Sequence, residues 1–235
     1  MSLITTESYQ PKSLRDQVVM QIREMIYSRE IAPGSYLREQ EFTKRLGISR
    51  TPLREAFILL ERDGLVVAQP NRGLQVREFN DQDIEEIFAM RCSLEDFAAA
   101  LLVPKFDDSH AADLAYRIEQ QRMAIEHEYR NQYGPLDWDF HYYLVSRAGN
   151  SRLESFWHTI SAQYQAVIRY RDFAYPDYDM MNMIRDHTRI LEAYKSGDVA
   201  QVEAVNADIN RTVSAESIEG WRIHCAASED EQDER

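Results

Sequence analysis

Gly47-Ile48-Ser49-Arg50-Thr51-Pro52-Leu53-Arg54-Glu55-Ala56 is the stretch that decides the fold of the first third of the chain. It begins with a glycine that ends an apolar-periodic segment over residues 38–46, as glycine often does at a helix C-terminus. Ser49 or Thr51 then caps a second helix, and Pro52 lies in its first turn, where a missing N–H does no harm. Two short helices joined by such a tight turn form a helix-turn-helix.

A short hairpin follows the second helix. Residues 65–68 and 74–76 are apolar runs that predict two strands, and Gln69-Pro70-Asn71-Arg72-Gly73 between them has the composition of a turn. A hairpin at this position is the wing of a winged helix-turn-helix, a fold that places its second helix in a groove of DNA. We therefore predict a winged helix-turn-helix DNA-binding domain over residues 13–78.

The second helix and the wing carry side chains suited to double-stranded DNA. Arg50 and Arg54 are four residues apart and share one helical face, and an arginine can hold O6 and N7 of a guanine with two hydrogen bonds. The Thr51 hydroxyl suits a phosphate or a base edge. Arg72 at the wing tip can enter a minor groove, and Gly73 permits close backbone approach. The alternative is that these arginines are solvated charges on an ordinary small domain.

Charge is divided unevenly along the chain. The net formal charge is −13, yet residues 1–78 hold 12 Lys and Arg against 10 Asp and Glu, and the remainder holds 15 against 30. DNA binding needs positive charge that faces the phosphates, and the rest of a chain can be acidic. The acidic remainder therefore argues against nonspecific coating of nucleic acid and is compatible with a second domain that stays off the duplex.

Composition also indicates a cytoplasmic protein. No run of about 18 apolar residues is present, so we expect no membrane span. Residues 1–7 lack the basic and then apolar pattern of a secretory signal, and the two cysteines, Cys92 and Cys225, do not make a disulfide framework. The polar residues 1–12 and the acidic residues 223–235 are expected to be flexible tails.

Apolar residues recur at helical spacing after residue 81, where the strand signals end. The spacing predicts helices near residues 82–103, 110–130 (capped by Ser109), 136–148, 151–172, 177–196 and 198–219. We therefore predict a mainly α protein, in which the winged helix-turn-helix is followed by an all-α helical-bundle domain over residues 79–222.

Three residues in this helical part have the chemistry of a metal site. Asp137 and His141 are four residues apart, so both can point from one helical face at one ion, and His187 on another helix can supply a third ligand. Two imidazoles and a carboxylate with open positions suit zinc, nickel or manganese. By spacing alone, two hydrogen-bonded core histidines are the more common interpretation.

Three arginines are candidates for holding an anionic effector. Arg91, Arg169 and Arg171 lie in the predicted helices, and a guanidinium binds a carboxylate in bidentate fashion. Ion pairs with the abundant acidic side chains are an equally good interpretation of each.

No catalytic site is predicted. The enzymatic alternative is a metal-dependent hydrolase or lyase built on Asp137, His141 and His187. The chain lacks a His-Glu-x-x-His run, however, and no general base neighbours these residues. Substrate turnover with added metal would be the observation that favours an enzyme.

Four segments resemble the DNA-binding domain of GntR-family bacterial transcription regulators: Leu37-x-Glu39, the stretch at 47–56, Leu60-Glu61-x-Asp63-Gly64-Leu65 and Pro70-x-Arg72-Gly73-x-x-Val76. The resemblance implies a regulator that binds double-stranded operator DNA. By the same resemblance, the DNA contacts come from Gln40 near the backbone, from Ser49, Arg50, Thr51 and Arg54, and from Asn71, Arg72 and Gly73 in the wing.

Three further segments resemble the FadR-type effector domain called FCD: Arg91-x-x-Leu94-Glu95-x-x-Ala98-Ala99, Asp137-x-x-Phe140-His141-x-x-Leu144 and Asp186-His187-x-x-Ile190-Leu191-x-Ala193. The resemblance implies an all-helical effector domain in a homodimer that reads a palindromic operator. The expected effector is then a small organic acid or another metabolite. Repression that the ligand relieves is the commoner mode in the family, and activation is the alternative. The resemblance also favours a divalent metal at the Asp and His residues. Of the three arginines, Arg91 and Arg169 are the ones we select as effector contacts, on the carboxylate chemistry given above.

One family feature is missing from the last predicted helix. Metal-binding members carry a further histidine there, whereas this chain has Ala204-Val205-Asn206-Ala207-Asp208-Ile209-Asn210. Asp208 is the nearest match and the expected fourth ligand, although a carboxylate weakens selectivity for softer ions. Two alternatives stay open: the pocket binds the effector without metal, or the ion is itself the signal.

Overall fold

The computed structural model describes residues 13–70 and 72–233. Within these residues the N-terminal part contains α1 (Leu14–Tyr27), β1 (Tyr36–Leu37), α2 (Glu39–Leu46), α3 (Arg50–Arg62), β2 (Val66–Gln69) and β3 (Gly73–Val76). The helical part contains α4 (Asp81–Leu102), α5 (Asp108–Glu126), α6 (Tyr133–Arg147), α7 (Ser151–Ala174), α8 (Met181–Lys195) and α9 (Val199–Asp233). The predicted fold class, a winged helix-turn-helix followed by an all-α bundle, is confirmed.

The winged unit is built on one small core. β2 and β3 form the predicted hairpin, with Val66 opposite Val76, and β1 adds a third antiparallel strand beside β3. β1 was not predicted, because two residues carry no periodic signal. On the helices, Ile22, Leu53 and Leu60 are fully buried in the same cluster as both hairpin valines.

The helical part is centred on α4, α7 and α9, which pack against one another, while α5, α6 and α8 pack beside them. The Asn80 side chain starts α4 through a reciprocal capping box with Asp83. Ile84, Phe88 and Leu102 then form the buried stripe of α4. Among the described helices, none is long and apolar enough to span a bilayer.

Three helix starts differ from the prediction, and the largest difference is at α8, which begins at Met181 and not near residue 177. α5 is capped by Asp107, whose carboxylate accepts hydrogen bonds from the backbone N–H groups of Ser109 and His110 at 3.0 Å, so the expected cap at Ser109 is corrected. An aspartate caps as well as a serine, and spacing alone did not separate them. α6 begins at Tyr133 rather than near residue 136, because a helix tolerates Pro135 in its first turn.

The last helix is longer than predicted. α9 continues to Asp233, whereas we expected the helix to end near residue 219 and a flexible tail to follow. Residues 221–233 contain no Gly or Pro, so nothing in the local sequence stops the helix. Gly220 does not end it either; a Cβ there would lie 2.3 Å from the Tyr170 carbonyl oxygen, so this glycine allows α9 to approach α7 closely.

The N-terminal part rests on α7 of the helical part. The Tyr27 hydroxyl donates to the Ala162 carbonyl at 3.1 Å, and Ala162 belongs to the N-terminal core cluster. The Arg29 guanidinium lies 4.3 Å from the centroid of the Tyr170 ring. α7 is therefore in direct contact with the winged unit.

Candidate nucleic-acid interface and metal centre

The first turn of α3 presents polar side chains to solvent. Ser49 is the N-cap by backbone position, yet its hydroxyl makes no capping hydrogen bond, and Arg50 and Thr51 are exposed. The opposite face of α3 buries Leu53 and Phe57. Burial of that face fixes the rotation of the helix, so its polar first turn points outward, as a helix that enters a major groove requires.

Arg54 is exposed but already paired. Its Nε and Nη2 atoms donate to the Glu39 carboxylate on α2 at 2.7 and 2.9 Å. The two parallel hydrogen bonds fix the direction of the guanidinium. Gln40 is exposed beside Glu39 on α2.

The wing exposes Arg72 and Gly73 at the end of its hairpin. Gly73 has a φ of 92°, a conformation that other residues rarely adopt. Tyr36 on β1 lies close enough to the Arg72 guanidinium to raise its pKa. Asn71 lies outside the described residues; every other side chain predicted to contact DNA is at the surface.

Asp137 and His141 on α6 and His187 on α8 converge inside the helical part, with candidate ligand atoms within 4.8 Å of one another. We call these three residues the Asp–His cluster. His187 Nε2 is 3.2 Å from His141 Nε2 and 3.4 Å from Asp137 Oδ1. The His187 ring stacks on Phe140 with 4.0 Å between ring centroids, which fixes its plane.

The outer nitrogen of each cluster histidine already faces an acceptor. His187 Nδ1 lies 2.6 Å from Gln121 Oε1, and His141 Nδ1 lies 3.2 Å from Glu95 Oε2. The Gln121 amide nitrogen donates to the Leu136 carbonyl at 3.0 Å, so its oxygen is the atom that faces His187. We therefore assign the proton of each ring to Nδ1 and a lone pair to Nε2, the arrangement of metal-ligating histidines.

Burial and charge keep the Asp–His cluster ready for a cation. Burial alone would raise the pKa of Asp137, but the close approach of His187 and the positive charge of Arg91 outweigh it and hold that pKa well below its usual range. Burial lowers the pKa of His187, although Asp137 opposes the shift. At neutral pH these two residues therefore offer a carboxylate and a neutral imidazole.

Asp208 does not join the cluster, which corrects the expected fourth ligand. Its half-exposed carboxylate pairs with Arg189 at 2.6 Å and with Arg211. α9 instead turns Asn206 and Asn210 toward the cavity beside the cluster. Residues two positions apart lie on different faces of a helix, so Asp208 between these asparagines points away.

A cavity of about 480 Å³ opens beside the Asp–His cluster. We call it the central cavity; small-molecule sites typically measure ~300–1,000 Å³. Arg91 lines this cavity but is buried, bonded to Glu95 at 2.8 Å and placed 3.6 Å over the Tyr164 ring centroid. Its charge is thus already paired within the protein.

Arg169 and Arg171 also line the central cavity. Both approach Asp172, at 3.2 and 3.5 Å, and the Nε atom of each is buried without a hydrogen bond among the described residues. A buried N–H without an acceptor is a position where a ligand oxygen can bind. These two arginines are therefore better candidates for an anionic ligand than Arg91.

Glu95 and Gln121, the outer partners of the cluster, were not singled out from the sequence as ligand-orienting residues. The sequence did contain a signal for Glu95. Arg91 and Glu95 are four residues apart on an apolar helix, where buried charges must be paired, so their spacing predicts an ion pair. Gln121 had none, because its partner His187 is 66 residues away in the chain.

Two family models match the chain. The model described as bacterial regulatory proteins, gntR family, matches residues 14–76, and the model of the FCD domain matches residues 86–211. The chain belongs to the GntR family. α3 and the wing lie in its GntR domain, and the Asp–His cluster lies in its FCD domain.

Relatives of this GntR-family chain include the HTH-type transcriptional repressor RspR of Escherichia coli K12, 29% identical over 85% of this chain and 87% of RspR. The uncharacterized HTH-type transcriptional regulator YdhC of Bacillus subtilis is 28% identical over 76% of this chain and 80% of YdhC. The E. coli McbR/YncC structure shares the fold, with a TM-score of 0.75 and 22% identity over 89% of this chain and 99% of that chain. This GntR-family protein is a DNA-binding transcription regulator.

Proposed function

We propose that this GntR-family regulator is a homodimeric cytoplasmic repressor that releases a palindromic operator when a small carboxylate binds in its FCD domain. The observation that carries the proposal is the meeting of the Asp–His cluster with Arg169 and Arg171 in one cavity, in a chain that also exposes a recognition helix. Repression is supported by the E. coli relative RspR, which is named a transcriptional repressor.

The operator contacts divide between α3 and the wing. Arg50 reads a guanine edge in the major groove, and the free hydroxyl of Ser49 and that of Thr51 bond to phosphates or base edges. Arg54 reaches the same groove from its anchor on α2. The remaining contacts come from Gln40 at the DNA backbone and from Asn71, Arg72 and Gly73 in the wing.

A palindromic operator follows from a two-fold symmetric dimer, because each copy reads one half-site. The separation of the two α3 helices then sets the spacing of half-sites that bind well. A ligand that binds the dimer more tightly at one separation of the α3 helices than at another shifts the dimer toward that separation. The difference between its two affinities sets how far operator affinity can change. The contacts of α1 with α7 give such a ligand a direct route to the reading helices.

The Asp–His cluster fits a divalent ion. Its Nε2 lone pairs and carboxylate oxygen converge, and the outer nitrogens are held by Gln121 and Glu95. Zinc, nickel and manganese accept such nitrogen and oxygen ligands and leave positions open. When bound, the ion supplies a Lewis-acid contact for a carboxylate oxygen. Arg169 and Arg171 hold the opposite end of the acid through their buried N–H groups.

DNA protection over the chain's own upstream region tests the proposal. The dimer is expected to protect one palindrome, and the affinity for that site is then measured with lactate, citrate and gluconate as probe acids, with and without zinc. An acid that weakens wild-type binding tenfold should have no effect on Arg171→Met, which removes a guanidinium that lines the central cavity, while Arg152→Ala, on the exposed start of α7, responds as wild type. Absence of a protected site contradicts operator binding, and a response to zinc without any acid would make the ion the signal.

A further inference from the structure

A second cavity, of about 440 Å³, lies where the N-terminal part meets the helical part. We call it the junction cavity. One wall comes from α1 and the end of α3, with Tyr27 and Asp63; the other comes from α6 and α7, with Trp138 and Thr159. No residue of the Asp–His cluster lines it. Its size matches small-molecule sites, so it can hold a ligand of its own.

The lining of the junction cavity carries more positive than negative side chains. The charged residues are Arg23, Arg62 and Arg169 against Glu24 and Asp63. Arg23 and Arg62 both pair with the buried Asp63. Burial lowers the pKa of His158, which also lines the cavity, so this ring is neutral at neutral pH. The excess of arginines in this lining favours an anionic ligand over a cation.

Arg169 lies on the boundary between the central and junction cavities. Together with Gly134 and Gln165 it lines both. Its Nη1 faces Asp172, which lines only the central cavity, whereas its buried Nε has no hydrogen bond within the described residues. Gly134 leaves room for the guanidinium, since a Cβ there would lie 2.9 Å from Arg169 Nη2.

The wall opposite α1 is aromatic. The Trp138 ring stacks on Tyr142, with 4.6 Å between ring centroids and 19° between the planes, and it lies 5.5 Å from the His158 ring. Tyr27 faces this wall from α1, with its hydroxyl already bonded to the Ala162 carbonyl. Flat rings offer stacking surface to another flat ring, and a guanidinium beside them favours a carboxylate.

We propose that the junction cavity is a second ligand site, which binds a planar aromatic carboxylate with its ring against Trp138 and its carboxylate toward Arg169. The ligand contacts α1 and α7 at the same time. Its binding therefore favours the conformation in which the N-terminal part and the helical part both line the cavity. This site goes beyond the effector role of the central cavity and does not depend on it, because its binding can be measured without operator or metal.

Calorimetric titration of the full-length protein with 2-naphthoate tests this site, with neutral 2-naphthamide as the matched ligand. We expect one naphthoate per chain and at least tenfold weaker binding of the amide. Thr159→Trp fills the junction cavity and should abolish binding, whereas Asn210→Trp fills the central cavity and should leave it within twofold. If Thr159→Trp does not fold, Ser155→Trp, at the exposed rim of the junction cavity, is the second variant that fills this cavity and should also abolish binding.

The opposite pattern overturns the proposal: naphthoate binding that survives both junction variants and is lost in Asn210→Trp places the acid in the central cavity. The absence of binding to wild type at millimolar naphthoate also overturns it. Equal affinity for the acid and the amide overturns the role of Arg169, and Arg169→Met checks that role directly, with an expected loss of at least tenfold in naphthoate affinity.

Discussion

The Nε2 atoms of His141 and His187 face each other at 3.2 Å, while the Nδ1 atom of each ring lies against an oxygen acceptor. With each ring proton on Nδ1, the two Nε2 lone pairs face each other, and a cation between them relieves their repulsion. Protonating His187 instead is unfavourable, because burial lowers its pKa. A divalent ion would satisfy both rings and the Asp137 carboxylate together, which is why we propose a metal at this cluster.

Replacing Gln121 by Leu should weaken metal binding although Gln121 is not a ligand. Its oxygen is the acceptor for His187 Nδ1–H, and outer partners of this kind typically contribute ~10–100-fold in metal affinity. Gln121→Glu keeps an acceptor oxygen and should retain most of the affinity. Competition with a chromophoric zinc chelator measures the zinc affinity of the wild type and of both variants. Equal affinity of Gln121→Leu and wild type would show that the His187 ring needs no such partner.

Metal affinity should be constant between pH 7 and 8 and fall at lower pH. Protons compete with the ion for the histidine nitrogens, and an ordinary histidine has a pKa of about 6.5. Because burial lowers the pKa of His187, protons compete with the ion for this residue only below that pH. Zinc affinity measured from pH 5 to 8 checks the profile, and an affinity that rises on acidification is incompatible with neutral imidazole ligands.

Operator affinity should depend on Arg50 more than on a surface arginine elsewhere. Arg50→Ala removes a candidate guanine contact, and such a loss costs about 1–3 kcal/mol and relaxes sequence preference at one position. Arg152→Ala removes an equally exposed arginine from α7 and should leave affinity unchanged. Fluorescence anisotropy measures the affinity of the wild type and of both variants for the protected upstream site and for a scrambled duplex. If Arg50→Ala weakens both duplexes equally, Arg50 contacts phosphate and not a base.

Gly220→Ala should destabilise the protein, opposite to the usual effect of this change within a helix. Its Cβ would lie 2.3 Å from the Tyr170 carbonyl oxygen, so α7 and α9 must separate. Overpacking of this kind typically lowers the free energy of unfolding by ~1–3 kcal/mol, against a propensity gain of at most about 1 kcal/mol. Glu219→Ala, at the exposed preceding position, is the control. Urea unfolding that shows Gly220→Ala to be as stable as wild type would rule out the close approach.

Local features of the chain were readable from the sequence. Residues 47–56 predicted the turn and the second helix because Gly, Ser and Pro have fixed roles at helix ends. The structure starts α3 at Arg50, which selects Ser49 over Thr51 as the N-cap position. Asp137 and His141 were predicted to share a face because that follows from spacing on any helix, and they do.

Features set by long-range packing were not readable. The rotation of α9 decides which side chains reach the central cavity, and it turns Asn210 inward and Asp208 outward. The two-residue strand β1 exists only through its pairing with β3, where Tyr36 lies opposite Gln75. Gln121 meets His187 only because α5 packs on α8.

Anomalous diffraction from crystals of the full-length protein grown with zinc, recorded above and below the zinc absorption edge, locates the ion directly. We expect one strong peak about 2.0–2.2 Å from His141 Nε2, His187 Nε2 and an Asp137 oxygen, the usual zinc distances. The peak should persist in Asp208→Asn and vanish in His187→Ala. A peak bound by Asp208, or no peak at the Asp–His cluster in wild type, would contradict the metal-centred site.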